Sequence, residues 1–266
     1  MFENKIVAVT GGTDGIGRAL VEEFLSQGAK VSTCSRTLEN LDHLQTDLSN
    51  KDLFTMVADV SKEDDCKTFI QKTLKQFGKI DILVNNAGIS MRAEFKETEL
   101  NTLKRVMDIN FWGTVYCTKY ALNSIIENKG TIVGVSSIAG YRGLPGRSGY
   151  SASKFALTGW LEALRTELLD DGVNVMWVCP GFTQSNIRNV ALNAHSTPQG
   201  ESPLDESGLM TAKECAQHII KAIRKRKRTL VLTFKGKQTV FMNKFFPSLT
   251  DKLTKNFFYK DGKLIK

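Results

Sequence analysis

The chain has 266 residues, of which 41% are hydrophobic, and it carries a formal net charge of +8 at neutral pH. This length allows one large domain or two small ones and buries about three quarters of the surface that the unfolded chain exposes. The five cysteines are scattered and odd in number, which argues against a disulfide framework and favours a reducing, cytoplasmic compartment. We expect no signal peptide, no membrane span and, with three isolated histidines, no metal site.

Much of the positive charge lies in one run at residues 221–228. We interpret it as the C-terminal end of a helix, where cations complement the dipole and stay solvated. A membrane-surface role is the alternative. Nucleic-acid binding is not expected, because no recognised motif or basic–aromatic pattern accompanies the run.

Short apolar stretches alternate with amphipathic helical patterns along most of the chain. A helix beginning at Ser61 would be capped by Ser61 with Asp64, and Thr211 with Glu214 is typical of a capping box. The alternation predicts an α/β fold: a single doubly wound domain with a parallel sheet of about seven strands and helices on both faces. The predicted strands cover residues 5–9, 29–34, 53–57, 80–84, 130–135, 173–178 and 229–234, and the predicted helices cover 15–27, 38–48, 61–77, 98–126, 150–169 and 211–225.

Three glycines, Gly11, Gly15 and Gly17, follow the first strand and open the first helix. Glycine lets the backbone approach a pyrophosphate closely, and the free N–H groups at a helix start complement its charge. The loop therefore predicts a dinucleotide site. The alternative is a tight strand-to-helix turn without a ligand.

A hydroxyl pair, Ser136 and Ser137, ends the fifth strand, and a glycine-rich loop then leads to a helix that opens with Tyr150. Lys154 lies four residues later, on the same helix face. A nearby cation lowers the pKa of a phenol, which is otherwise about 10. A phenol whose pKa is lowered in this way can protonate an alkoxide. The spacing alone is weak support, since Tyr259 and Lys263 repeat it in the tail.

Together these features resemble the classical short-chain dehydrogenase/reductase family over roughly residues 4–235. The resemblance implies a Rossmann-type domain at residues 1–235 and an enzyme that transfers a hydride between a nicotinamide and a carbonyl or secondary alcohol. The motifs that carry it, in the family's order, are Thr10-Gly-Gly-Thr-Asp-Gly-Ile-Gly17, Asn85-Asn-Ala-Gly88, Asn110, the serine pair, Tyr150-Ser-Ala-Ser-Lys154 and Pro180-Gly181.

The resemblance assigns Tyr150 as the general acid/base, with Lys154 lowering its pKa and holding the nicotinamide ribose. Only one serine of the pair can face the site, because neighbouring strand side chains point in opposite directions. The family's interval to the tyrosine selects Ser137 to orient the substrate and leaves Ser136 as a structural hydroxyl. Asn110 would anchor a water in a proton relay; the alternative is a buried polar residue at a helix kink.

The resemblance also implies a set of cofactor contacts. Asn86 has a second interpretation, which we favour, as a residue that ties neighbouring strands. The predicted contacts are Gly11, Thr13, Asp14, Gly15, Ile16 and Gly17 in the glycine loop, Ser35 and Arg36 after the second strand, Asp59 and Val60 at the adenine, Asn86, Ala87 and Gly88 under the ribose, Tyr150 and Lys154, and Pro180, Gly181 and Thr183 at the nicotinamide.

The second strand ends in Cys34-Ser35-Arg36, where an acidic residue would hydrogen-bond the ribose of NAD. A guanidinium suits the 2′-phosphate of NADP, and Ser35 can add a hydroxyl, so we expect NADP. Asp14 argues mildly for NAD, which is the alternative, because many relatives that prefer NADP carry a basic residue in this loop.

Two loops, residues 89–96 and 183–210, are expected to shape the substrate pocket. Their neighbourhood is apolar, which suits a lipid-like, steroid-like or aromatic carbonyl. The side chains that give it this character are Ile138, Met91, Phe95, Tyr141 and Phe182.

The tail at residues 236–266 alternates phenylalanines with lysines. We expect an amphipathic extension packed on the same domain, with attachment to a membrane surface as the alternative. A homodimer or homotetramer is expected. A non-catalytic nucleotide sensor of the same fold is the competing function, although such proteins often lose the tyrosine or lysine that this chain keeps.

Overall fold

A computed structural model describes residues 2–202 and 208–265, so part of the loop at 183–210, including Pro203, lies outside the described residues. Seven parallel strands form one sheet: β1 Ile6–Thr10, β2 Lys30–Ser35, β3 Leu53–Val57, β4 Ile82–Asn85, β5 Thr131–Val135, β6 Asn174–Cys179 and β7 Thr229–Val231. Their order across the sheet is β3-β2-β1-β4-β5-β6-β7. The chain changes direction across the sheet between β1 and β4, and this switch point is where doubly wound folds bind ligands.

Helices cover both faces of the sheet, and each face has its own apolar core. Phe69, Ile125 and Leu157 belong to one core, and Phe24 and Ile219 belong to the other. The single doubly wound domain predicted from the sequence is therefore confirmed. The helices are α1 Gly15–Ser26, α2 Leu38–Leu48, α3 Glu63–Phe77, α4 Leu100–Met107, α5 Gly113–Glu127, α6 Ser148–Glu167, α7 Ala212–Arg224, α8 Phe234–Phe245 and α9 Pro247–Phe258.

The predicted helix caps have opposite outcomes. The capping box of Thr211 and Glu214 is confirmed at the start of α7. The predicted cap at Ser61 is wrong: α3 begins at Glu63, and the Ser61 hydroxyl donates to the Asp59 carboxylate over 2.8 Å. The Ser61 N–H also donates to Asp59, so the group that a cap would pair with Asp64 is already bonded.

The seventh strand is shorter than predicted, because the chain turns at Thr233 and enters α8 at Phe234. The Thr233 side chain accepts a hydrogen bond from the N–H of Gly236 and so caps the helix. After α9 the chain forms a small antiparallel pair, β8 Tyr259–Lys260 with β9 Lys263–Leu264. Within the described ranges, the chain has no helix with the length and apolar character that crossing a bilayer requires.

Candidate active site

The loops after β1 and β4 are tied together at the carboxyl edge of the sheet. The N–H groups of Asn86 and Ala87 both donate to the Thr10 hydroxyl over 3.0 Å. The Asn86 amide donates to the carbonyl oxygens of Thr10 and Gly11, also over 3.0 Å. Asn86 therefore has the strand-tying role that the sequence favoured, and it holds the glycine loop against the Asn-Ala-Gly turn.

The glycine loop can take its conformation and its close packing only because it lacks side chains. Gly11 and Gly15 adopt φ angles of +68° and +52°, which side-chain-bearing residues rarely take. A Cβ at Gly17 would overlap the carbonyl of Gly11 and the amide of Asn86. The N–H of Arg18 is the first to bond within α1, so the N–H groups of Ile16 and Gly17 have no acceptor inside the helix. The loop fits a pyrophosphate.

Asp14 caps this helix, because its carboxylate accepts a hydrogen bond from the N–H of Gly15 over 2.7 Å. Thr13, beside it, donates from its hydroxyl to the Ser35 hydroxyl over 3.3 Å and thus links the glycine loop to the end of β2. The next residue, Arg36, is exposed. The structure thus brings Thr13 of the glycine loop to the end of β2, where Ser35 and Arg36 are expected to meet a 2′-phosphate.

Asp59 and Val60 follow β3 on the same edge. Asp59 is held by Ser61, whose N–H and hydroxyl both donate to the same carboxylate oxygen. Val60 is buried, and a Cβ at Gly113 would come within 3.0 Å of its side chain. The pair is thus fixed between the start of α3 and α5.

Tyr150 and Lys154 lie on the first turns of α6, and both are buried. The Lys154 ammonium is 5.7 Å from the centre of the Tyr150 ring and donates to the carbonyl oxygen of Val135 over 2.8 Å. The Ser137 side chain interacts with the Tyr150 phenol and lowers its pKa. Ser136 instead donates to the Lys154 carbonyl oxygen over 3.4 Å. The two serine side chains therefore have different partners, the phenol for Ser137 and the Lys154 carbonyl for Ser136.

Burial dominates the acid–base properties of this pair. Desolvation raises the pKa of Tyr150, although the Ser137 hydrogen bond and the positive charge of Arg147 oppose it. Desolvation lowers the pKa of Lys154 to about 8. The positive charge of Arg147 lowers the pKa of the phenol. That Lys154 also lowers it stays a prediction, with the ammonium 5.7 Å from the ring.

Asn110 lies in a π-helical turn, Asp108–Trp112, that joins α4 to α5. Its amide oxygen accepts the N–H of Ile89 over 2.8 Å, and its amide nitrogen donates to the Ile89 carbonyl and the Ser153 hydroxyl. A Cβ at Gly88 would lie 3.1 Å from the Asn110 oxygen and 3.5 Å from the Lys154 ammonium. The turn thus brings Asn110, Gly88 and Lys154 together.

The segment after β6 closes the site on the other side. Pro180 and Gly181 are partly buried, and a Cβ at Gly181 would come within 2.5 Å of Thr233. Thr183 is buried and donates to the Gly181 carbonyl over 3.3 Å, and its side chain lowers the pKa of the Cys215 thiol of α7. In the chain alone its hydroxyl is directed to protein partners.

The family model for short chain dehydrogenases matches residues 5–195, which carry every site residue described above. The chain belongs to the short-chain dehydrogenase/reductase family. It is an NAD(P)-dependent oxidoreductase of the classical type.

Similar family members come from distant organisms. A mouse protein named dehydrogenase/reductase SDR family member 7B is 33% identical over 256 residues, which are 93% of this chain and 79% of that protein. A peanut (Arachis hypogaea) protein named 11-beta-hydroxysteroid dehydrogenase A is 34% identical over 260 residues, with coverages of 93% and 73%. A short-chain dehydrogenase/reductase from Burkholderia phymatum, solved in complex with NAD, superposes with a TM-score of 0.83 at 23% identity and covers 93% of this chain and 95% of that one.

Sequence reasoning missed two residues of this short-chain dehydrogenase/reductase site. Ser153 accepts from Asn110 and donates to the Tyr150 carbonyl over 2.7 Å, so it links the π-helical turn to α6. Arg147 precedes Tyr150 by three residues and lies 5.3 Å from the Phe258 ring. The signal for Arg147 was its position one turn before the tyrosine. The sequence could not show that Arg147 is partly buried, because the Phe258 ring that contacts it comes from the distant tail.

The apolar residues expected around the substrate separate into two groups. Met91 is fully buried and belongs to the core, where it would contact a Cβ at Gly149. Phe95 and Phe182 are exposed. Met91 therefore packs in the core and does not form the part of the pocket wall that was expected of it.

Proposed function

We propose that the protein is an NADPH-dependent carbonyl reductase that acts on an apolar or lipid-like ketone or aldehyde and, in reverse, on the corresponding secondary alcohol. The observation that carries this proposal is the contact of Ser137 with a buried Tyr150, one helical turn from Lys154, beside a glycine loop that fits a pyrophosphate. Hydride transfer is the chemistry that a bound nicotinamide supplies.

The protein's own residues supply positioning and a proton. Tyr150 donates the phenolic proton to the carbonyl oxygen as the alkoxide forms, and Ser137 donates a hydrogen bond that holds this oxygen in place. A phenol that burial keeps protonated is suited to this direction of reaction. Lys154 brings a positive charge near the phenol and binds the nicotinamide ribose. Asn110 positions the turn at Gly88 and anchors the water through which Lys154 is reprotonated.

We propose NADPH rather than NADH as the favoured cofactor. Arg36 is exposed at the end of β2, where a 2′-phosphate would lie, and the Thr13 and Ser35 hydroxyls are next to it. A guanidinium binds a phosphate through two charge-assisted hydrogen bonds. The Asp14 carboxylate, the feature that favoured NAD, accepts from the N–H of Gly15 as a helix cap.

The remaining contacts of the cofactor are proposed as follows. Asp59 and Val60 flank the adenine, Asn86, Ala87 and Gly88 lie under the adenosine ribose, and Pro180, Gly181 and Thr183 meet the nicotinamide. Thr183 has to exchange its protein partners for the carboxamide. We also propose a homodimer or homotetramer, supported by exposed apolar side chains such as Phe155 on α6 and Leu169 in the turn after it. A cytoplasmic location is proposed as well, supported by five buried free thiols.

The tail is proposed to be an extension of the same domain. The Arg142 guanidinium donates to the Asn243 amide oxygen of α8 over 3.0 Å and to the Asp251 carboxylate of α9 over 2.6 Å. The Tyr259 hydroxyl donates to the Glu94 carboxylate over 2.8 Å. These contacts support packing of one side of the tail on the domain.

Oxidation of NADPH, followed by absorbance with a panel of ketones, aldehydes and 3-ketoacyl compounds, tests the activity. We expect turnover with apolar members of the panel, in keeping with the hydroxysteroid dehydrogenase name of the peanut relative. Tight binding of NADPH without turnover of any carbonyl would instead favour the nucleotide-sensing alternative. A higher kcat/KM with NADH than with NADPH would contradict the cofactor assignment.

A further inference from the structure

The two tail helices carry apolar side chains on the faces that point away from the domain. We call these residues the outer stripe, and each of them is between 41% and 81% exposed. Soluble surfaces rarely expose a contiguous apolar patch without an interaction to serve. The outer stripe consists of Phe234, Phe241 and Phe245 of α8 and Leu249, Leu253 and Phe257 of α9.

Helical spacing separates the outer stripe from the face that contacts the domain. On α8 the stripe residues are seven and four positions apart, which places them on one side of the helix. Gly236 and Asn243, also seven apart, lie on the opposite side. Gly236 approaches Ile138, and Asn243 donates to the Tyr141 carbonyl over 2.8 Å. The aromatic side of α8 is therefore turned outward because the other side is occupied.

The two helices turn their inner faces to the same side chain. The Arg142 guanidinium bonds to Asn243 of α8 and to Asp251 of α9. The stripe on each helix consequently points away from a common point. Ring contacts also extend the surface. Phe241 is 6.4 Å from Phe246 in the connection between the helices, and Phe257, at the C-terminal end of the stripe, stacks on Phe182 at 6.4 Å.

The charges beside the outer stripe are positive. Lys237 and Lys244 are four and three positions from Phe241, Lys252 is three positions from Leu249, and all three lysines are exposed. Their stems can lie along apolar surface while the ammonium groups stay in water. The one acid in α8 and α9, Asp251, is paired with Arg142 at 2.6 Å, so it does not offset these lysines.

We propose that the outer stripe and its lysines dock on the surface of a bilayer that contains anionic lipid. Aromatic and aliphatic side chains would enter the boundary between headgroups and acyl chains, and the lysines would contact lipid phosphates. A second copy of the chain is the less favourable occupant. A two-fold contact between identical stripes would bring Lys237, Lys244 and Lys252 of one copy toward the same lysines of the other.

Docking would also orient the catalytic domain. Phe182 follows Pro180 and Gly181, the segment at the nicotinamide end of the site, and it stacks on Phe257 of the stripe. The apolar surface is thus continuous with one wall of the site. An apolar carbonyl compound dissolved in the bilayer would meet the protein at this side.

Co-sedimentation of the full-length protein with vesicles tests the proposal independently of activity. We expect binding to vesicles of mixed phosphatidylglycerol and phosphatidylcholine, weak binding to phosphatidylcholine alone, and release at high salt. The triple variant Lys237→Glu, Lys244→Glu, Lys252→Glu should lower the partition coefficient roughly a hundredfold. The variant Phe241→Ser, Phe245→Ser, Leu253→Ser should bind neither kind of vesicle.

Two controls separate docking from general effects of charge and exposed apolar area. Lys225→Glu with Lys227→Glu removes cations from the basic run at residues 221–228, and Leu169→Ser removes an apolar side chain that is 68% exposed on another surface. Both should bind like the parent chain. Unchanged melting temperature and NADPH affinity show that each variant is folded.

Three outcomes would overturn the proposal. The first is no binding of the parent chain to anionic vesicles. The second is binding that the stripe variants leave unchanged or that the basic-run control abolishes. The third is a concentration-dependent dimer, seen by analytical ultracentrifugation, that the stripe variants dissociate in the absence of vesicle binding, which would assign the surface to a second copy.

Discussion

The Asn243 amide nitrogen donates to the Tyr141 carbonyl oxygen over 2.8 Å and so joins α8 to the loop between Ser137 and Tyr150. Arg142, the next residue of that loop, donates to the Asn243 amide oxygen. The Asn243 side chain thus hydrogen-bonds to two groups, the Tyr141 carbonyl and the Arg142 guanidinium. Both belong to the loop between the proposed catalytic residues Ser137 and Tyr150. The tail is therefore part of the support of the site as well as an appendage.

Replacing Asn243 tests this support. Asn243→Ala should lower kcat by about tenfold while leaving the affinity for NADPH nearly unchanged, because the glycine loop lies at the other end of the site. Gln238→Ala, an exposed polar residue on the same helix, is the matched control and should be neutral. Equal losses of kcat and of NADPH affinity in Asn243→Ala would indicate general unfolding instead.

Tyr150→Phe should lower kcat by about 10²- to 10⁴-fold, because it removes the proton donor and little else. The affinity for NADPH, measured by fluorescence titration, should change little. Tyr259→Phe is a matched control, since Tyr259 of the tail also precedes a lysine by four residues but bonds to Glu94 of the loop at residues 89–96. A Tyr150→Phe enzyme that keeps most of its kcat would refute the assignment.

The lowered pKa of Lys154 predicts a pH dependence in an unusual range. Lys154 is charged below its pKa of about 8 and neutral above it, whereas the raised pKa of Tyr150 keeps the phenol protonated there. The kcat/KM for reduction, which reports the free enzyme, should therefore fall as the pH rises through about 8. In Lys154→Arg this decline should move to higher pH, because a guanidinium keeps its charge. A profile that is flat between pH 7 and the tyrosine pKa would contradict this role.

Arg36→Ala should reduce kcat/KM for NADPH by about 10- to 100-fold and leave kcat/KM for NADH unchanged, as expected for the loss of a charge-assisted hydrogen bond to phosphate. Lys51→Ala, which removes an exposed cation just before β3, serves as the control for overall charge. If Arg36→Ala lowers kcat/KM equally for NADPH and NADH, Arg36 does not contact the 2′-phosphate.

The alternation of apolar strands and amphipathic helices determined the sheet, its parallel direction and the two covered faces, because these depend on periodicity that each segment carries by itself. The glycine loop, the two serines and the spacing of Tyr150 and Lys154 were likewise visible, since strand and helix geometry places such side chains relative to their neighbours. The failed cap at Ser61 shows the limit of local reasoning: the carboxylates of Asp59 and Asp64 could each accept from Ser61, and only the coordinates show that Asp59 does so, from both its N–H and its hydroxyl.

Only the tertiary structure decided which segments that are far apart in the chain contact each other. Arg147 meets Phe258, Met91 enters the core, and Asn243 reaches Tyr141, and no local pattern encodes these pairs. The pKa values of Tyr150 and Lys154 also depend on the tertiary structure. Burial by the assembled fold is the largest cause of both pKa shifts, ahead of any interaction between the two side chains. Sequence periodicity sets which face of a tail helix is apolar, but packing against the Ile138–Tyr141 loop decides which face remains exposed.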